Sequence, residues 1–217
     1  MSNFDLLIRN GTVATAADTF QADVAIKDGR VVALGHDLGT AEQEIDAAGK
    51  LLLPGGIEGH CHIEQISSSR VMTADDFYSG TVSAVFGGTT TVIPFAAQQK
   101  GDSLRQTVED YHACAGPKAV IDYGFHLIIS DPSDQVIGQE LPALIKDGYT
   151  SFKVYMTYDD LRLDDYQMLE VLSAARRDGA MVMVHAENHD MIRWLSEKLL
   201  DAGHWQPQYH AISHSRA

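Results

Sequence analysis

The chain has 217 residues, 45% hydrophobic and 21% charged, which is ample material for a core. Its 16 basic against 30 acidic residues give a formal charge of −14, a sign that argues against a nucleic-acid or anionic-membrane surface. The two cysteines, Cys61 and Cys114, make no disulfide framework, and neither a leader pattern nor an apolar run of the ~20 residues a membrane span needs is present, so a cytoplasmic protein is expected.

Residues 1–53 read as short strands punctuated by turns. Residues 4–9 are an apolar strand ending at Asn10-Gly11, a type I′ hairpin signal. Residues 23–26 and 30–34 flank Lys27-Asp28-Gly29, a second hairpin signal, and residues 44–48 and 50–53 bracket Gly49. Four or five short strands leave open edges, so this segment reads as the N-terminal part of a small β-sandwich.

Residues 54–217 change pattern. Apolar strands at 56–61, 89–95, 121–129, 151–154 and 181–185 alternate with amphipathic stretches at 74–86, 103–115, 133–146, 164–177 and 188–202. Thr73 and Asp76 are spaced as a capping box, and Asp178-Gly179 stops the fourth helix. Each strand is a nearly continuous apolar run, as expected when both faces of a parallel sheet are buried. Such repeats build an open doubly wound sheet or a (β/α)₈ barrel. No glycine-rich dinucleotide fingerprint follows the first strand, since Gly55-Gly56 precedes it. The expectation is therefore an α/β protein with the first part of a (β/α)₈ TIM barrel, about five of eight units. Five such strands leave two long unpaired edges, and the sequence closes on PQYHAISHSRA without a terminal helix or strand. It reads as the N-terminal part of a longer protein, with a complete five-stranded α/β domain as the competing reading.

In a barrel the chemistry sits at the C-terminal strand ends. In LLLPGGIEGHCHIE, His60 and His62 alternate onto one face and Cys61 onto the other, so the pair is half a metal site and Cys61 a packed thiol. The fourth strand carries Lys153 and the fifth ends at His185. Desolvation favours the neutral amine of a lysine in an apolar strand. Such an amine adds carbon dioxide to give a carbamate, an anionic oxygen ligand able to bridge two cations. His126, mid-strand, reads as a hydrogen-bonded core histidine. Glu187 and Asn188 either orient His185 or cap the next helix, with the cap favoured for Asn188. Asp75-Asp76, Asp159-Asp160 and Asp164-Asp165 are placed at helix N-termini.

The segments PGGIEGHCH, TADDFYSGTVSAVFGGTTTVIPF, FKVYMTY, VHAEN and YHAISHSR span essentially the whole chain. By them it resembles the dihydropyrimidinase and hydantoinase branch of the amidohydrolase superfamily. The resemblance implies a TIM barrel with a β-sandwich built from both chain ends. It also implies a metal-dependent hydrolase acting on carbon–nitrogen bonds of cyclic amides or imides. His60, His62 and a carboxylated Lys153 would hold one divalent cation, and Lys153 and His185 a second. Zinc suits these ligands, with manganese, cobalt or iron tolerated. A hydroxide bridging the metals would attack the ring carbonyl, and Tyr158 would hydrogen-bond the substrate and its developing oxyanion. The family's remaining metal histidine and its metal-binding, proton-shuttling aspartate fall beyond Ala217, so the 217-residue chain alone is expected to be inactive. After the two histidines the family has an aspartate and a glycine-rich loop; here Glu64 and Gln65-Ile66-Ser67-Ser68-Ser69 follow, which leaves the ring preference open. An allantoinase-like or dihydroorotase-like enzyme and a non-catalytic scaffold relative are the alternatives. The full-length parent would be a homotetramer.

Overall fold

The computed structural model describes residues 3–67 and 70–215. The chain divides into two compact units, Met1–Gly55 and Gly56–Ala217. The first is a five-stranded sheet of β1 (Phe4–Ala14), β2 (Thr19–Lys27), β3 (Arg30–Gly35), β4 (Ala41–Asp46) and β5 (Leu51–Leu52). Its order is β3-β2-β1-β4, with β5 also beside β1. Val13, Ala22 and Val24 form its buried cluster, with Ile8, Ile26 and Leu52 against it. The Lys27-Asp28-Gly29 hairpin forms as read: Lys27 pairs with Arg30 and both loop residues are left-handed, Asp28 at φ 52° and Gly29 at φ 69°. Asn10-Gly11 is not a turn. β1 runs straight through it and absorbs a register shift between Ile8 and Gly11. Asn10 takes φ 61° there, held by Asp23 Oδ1 on its N–H at 2.9 Å and Asp46 Oδ1 on its amide at 3.0 Å. A bulge and a hairpin turn make the same local demand for positive φ.

The second unit alternates strands and helices. They are β6 (Gly56–Cys61), α1 (Phe77–Phe86), β7 (Thr89–Ala97), α2 (Leu104–Ala115), β8 (Asp122–Tyr123) and β9 (His126–Ile128), then a π-helical turn (Val136–Glu140) running into α3 (Leu141–Lys146). β10 (Ser151–Tyr155), α4 (Asp165–Asp178), β11 (Met181–His185) and α5 (His189–Asp201) follow, then a 3₁₀ turn (Pro207–Tyr209) and α6 (His210–Ser213). The sheet order is β6-β7-β9-β10-β11, with β8 beside β7, and every pair is parallel. The order follows the chain without reversing, as in a (β/α)₈ barrel, whereas a doubly wound sheet reverses at a switch point.

Alternation splits this sheet into two faces. Val92, Ala96, Leu127, Ile129, Phe152 and Val154 join residues of α1–α4 in the main core. Fully burying a side chain such as Phe77 or Phe152 contributes ~1.5–3 kcal/mol. The opposite face carries a smaller cluster of Phe95, Ile128 and Tyr155, with Ala97, Leu161 and Met183 against it. Lys153 shares the parity of Tyr155, and His185 that of Met183, so both belong to this second face.

Local chemistry sets the element ends. The cap of α1 is Asp76, whose carboxylate accepts the Ser79 N–H at 2.8 Å while Ser79 Oγ returns the bond. Thr73, read as the cap, instead accepts the Gln65 N–H. Asp164 and Gln167 form the box of α4, Gly179 ends it at φ 82°, and Asn188 caps α5. Asp159 and Asp160 lie in a turn rather than at a helix start, and the strand read over 121–129 is two pieces flanking Gly124. Among the described residues no helix is long and apolar enough to cross a membrane.

Candidate functional site

β6 delivers His60 and His62 at its C-terminal end, and their ring centroids stand 5.9 Å apart. Both rings pack on Phe95 of β7, His60 edge-on at 4.8 Å and His62 stacked at 5.0 Å. Lys153 of β10 places Nζ 6.0 Å from the Phe95 centroid and 5.3 Å from that of Tyr155. One aromatic ring thus gathers the two imidazoles and the amine. Lys153 is 8% exposed, and among the described residues its amine has no hydrogen-bond or ion-pair partner. Burial pushes its pKa below the usual lysine range. The His60 pKa is also lowered, chiefly by burial and then by the repulsion that Lys153, His62 and His126 exert in their protonated forms, with Glu58 opposing. His62 Nδ1 lies 2.5 Å from Gln65 Oε1. An amide oxygen only accepts, so Nδ1 carries the proton and Nε2 keeps its lone pair.

The neighbouring strand end holds His185. Its ring is 5.7 Å from Tyr155 and 5.2 Å from Tyr158, and its Nε2 lies 2.5 Å from Glu187 Oε2. Donation from Nε2 leaves Nδ1 as the nitrogen with a lone pair to offer. Tyr158 is held at φ 71°, a left-handed conformation that costs a non-glycine residue ~1–3 kcal/mol. Its carbonyl accepts the N–H groups of Leu161 and Arg162 at 2.9 and 2.8 Å. The residues on either side of it meet one imidazole: Thr157 Oγ1 is 3.3 Å from His189 Nδ1, and Asp159 Oδ1 is 3.4 Å from His189 Nε2. His126 is a core histidine, as read, donating from Nε2 to the Gly59 carbonyl at 3.0 Å and accepting at Nδ1 from Ser151 Oγ at 2.6 Å.

The structure therefore brings His60, His62 and Lys153 around Phe95, and sets His185 and Tyr158 beside them across Tyr155. Among the described residues no three His, Cys, Asp or Glu side chains are grouped to hold a metal; the third member of the cluster is a lysine. The donor set still fits a divalent cation, with imidazole lone pairs left free by Gln65 and Glu187 and an unpartnered amine near the Phe95 and Tyr155 rings. An open cleft of about 940 Å³ reaches this face at His62, Gln65 and Tyr155 and extends along Ile66, Tyr111 and Cys114. Sequence reading missed Phe95, Gln65 and His189. Only Gln65, three positions beyond His62, carried a usable signal, its spacing.

Residues 51–212 match the amidohydrolase family, and the chain belongs to it. Among the individual relatives it resembles, it is 48% identical over 210 residues to the D-hydantoinase of Geobacillus stearothermophilus, covering 95% of this chain and 44% of that enzyme. It is 40% identical to the dihydropyrimidinase of Rattus norvegicus, covering 98% and 42%. The crystal structure of dihydropyrimidinase from Brevibacillus agri superposes with a TM-score of 0.91 at 44% identity, covering 96% of this chain and 46% of that one. The chain spans about half the length of the curated relatives it matches.

Proposed function

We propose that the chain carries part of the active site of a metal-dependent hydrolase that opens a cyclic amide or imide, a hydantoin or a dihydropyrimidine. The observation that carries this reading is the unpartnered amine of Lys153, a residue only 8% exposed, packed on the same Phe95 ring as His60 and His62. His60, His62 and a carboxylated Lys153 would hold one divalent cation, zinc by preference, and Lys153 and His185 would contribute to a second. When bound, the cations supply activation of water and polarisation of the ring carbonyl. Phe95 packs beside the amine, and the burial that lowers its pKa favours the neutral form able to take up carbon dioxide. Gln65 and Glu187 hold the imidazole protons away from the ligating nitrogens. Tyr158, on its strained loop, is the donor for charge developing on the substrate oxygen. The first unit is read as part of a β-sandwich, and the whole protein as a cytoplasmic homotetramer. The family's other metal ligands and its general base lie outside these 217 residues, so the chain alone should hydrolyse neither hydantoin nor dihydrouracil.

Metal analysis and native intact mass, run beside Lys153→Ala, test the reading. The expected result is roughly one zinc per chain, a mass increment of one carbon dioxide, and loss of both in the variant. No metal uptake, with Lys153 unmodified at saturating bicarbonate, would overturn it.

A further inference from the structure

We infer that Gln65 is a positioning residue that dictates which nitrogen of His62 offers its lone pair. What that lone pair serves rests on the metallohydrolase reading above; the hydrogen bond does not. Gln65 Oε1 sits 2.5 Å from His62 Nδ1. Since the oxygen accepts only, it selects the tautomer protonated at Nδ1 and leaves Nε2 free. The opposite tautomer would turn its lone pair on the Gln65 oxygen, an unfavourable contact of two acceptors.

The carboxamide can enforce this because its loop is fastened. Gln65 is 8% exposed. Its N–H donates to Thr73 Oγ1 at 3.1 Å, and its carbonyl accepts the Thr73 N–H at 3.0 Å, which closes a ring between the two residues. The preceding residue, Glu64, takes the left-handed φ of 48° and donates its N–H to the Asp75 carbonyl at 2.9 Å. Its carboxylate accepts the Phe77 N–H at 3.1 Å, at the start of α1, and pairs with Lys118. The segment after β6 is therefore tied to α1 and to the residues beyond α2 before Gln65 reaches back to His62. With its backbone fixed at both groups, Gln65 has only its side-chain rotamers left to order on making the hydrogen bond.

The experiment is long-range ¹H–¹⁵N correlation on the ¹⁵N-histidine-labelled chain above the histidine titration, with the His62 signals assigned through His62→Gln. The wild-type chain should show His62 protonated at Nδ1. Gln65→Met, close in volume but without the acceptor, should lose that preference. Gln65→Glu, whose carboxylate also accepts, should keep it; circular dichroism confirms the fold of each. In parallel, zinc affinity by chelator competition should fall about 10–100-fold in Gln65→Met, the usual consequence of losing a group that orients a ligand imidazole. A wild-type His62 protonated at Nε2, or a tautomer unmoved in Gln65→Met, would overturn the inference. The expected tautomers with zinc bound by no variant would support the role of Gln65 while overturning the metal reading, so the two fail separately.

Discussion

Lys153 and Cys61 are both withdrawn from water, and the same desolvation moves them in opposite senses because it disfavours whichever form is charged. For Cys61, burial and the Glu58 charge push the thiol from 9.0 to about 11. That lowers its thiolate fraction near neutrality by about a hundredfold. Iodoacetamide at about pH 8 should therefore label exposed Cys114 and leave Cys61 largely free, with Cys61 reacting ever faster as pH climbs toward its raised pKa; peptide mass mapping over time reads this directly. For Lys153 the depressed pKa means the unfolded chain binds a proton that the folded chain releases, so this residue makes stability rise with pH from its folded pKa up to its unfolded one. Below that window it is a cost. In the metal-free chain Lys153→Met should raise stability at neutral pH, on the order of 1–2 kcal/mol, and flatten the rise; urea unfolding across pH measures both. Chemistry-bearing residue types were legible at this scale because histidine and lysine are unusual at the ends of apolar strands. What gathers them was not: Phe95 looks like any core aromatic until the register sets it beneath both imidazoles.

Elements were legible where one residue's chemistry settles the matter locally. Gly179 ends α4 because a left-handed cap suits glycine, and Asp28-Gly29 turns β2 into β3 because a two-residue loop needs positive φ twice. Elements were misread where two sites bid equally and distant partners decided. Thr73 and Asp76 both offer an oxygen three residues ahead of a donor, and Thr73 is taken by Gln65. Asn10-Gly11 has the same φ demand as a hairpin, but pairing with β2 on one side and β4 and β5 on the other carries the strand through. Two substitutions test the local part. Asp164→Ala should cost about 1 kcal/mol by removing the α4 cap. Gly29→Ala meets no neighbour within 4 Å, so its cost of about 1–2 kcal/mol is backbone strain alone. Thermal unfolding monitored in each variant gives the values.

At the scale of the whole sheet, β6 and β11 are its outermost strands, and Ile57 and Met181 on them are 69% and 56% exposed. Strand edges with apolar side chains template further pairing. Met181→Lys should therefore slow the growth of light scattering on warming without shifting the far-ultraviolet spectrum, since charge on an edge opposes association. The number of strand–helix units was legible because each is a complete hydrophobic repeat; their arrangement needed the pairing itself. That arrangement also bears on how the chain is made. Successive main strands such as β10 and β11 begin at Ser151 and Met181, a stretch that takes on the order of 2–6 s to emerge from a ribosome working at ~5–20 residues per second. Helix formation and chain collapse are complete within microseconds to fractions of a millisecond. Because each main strand lies beside the one synthesised before it, each new unit has its pairing partner already outside the exit tunnel, so the strand order permits the sheet to grow from one side during translation.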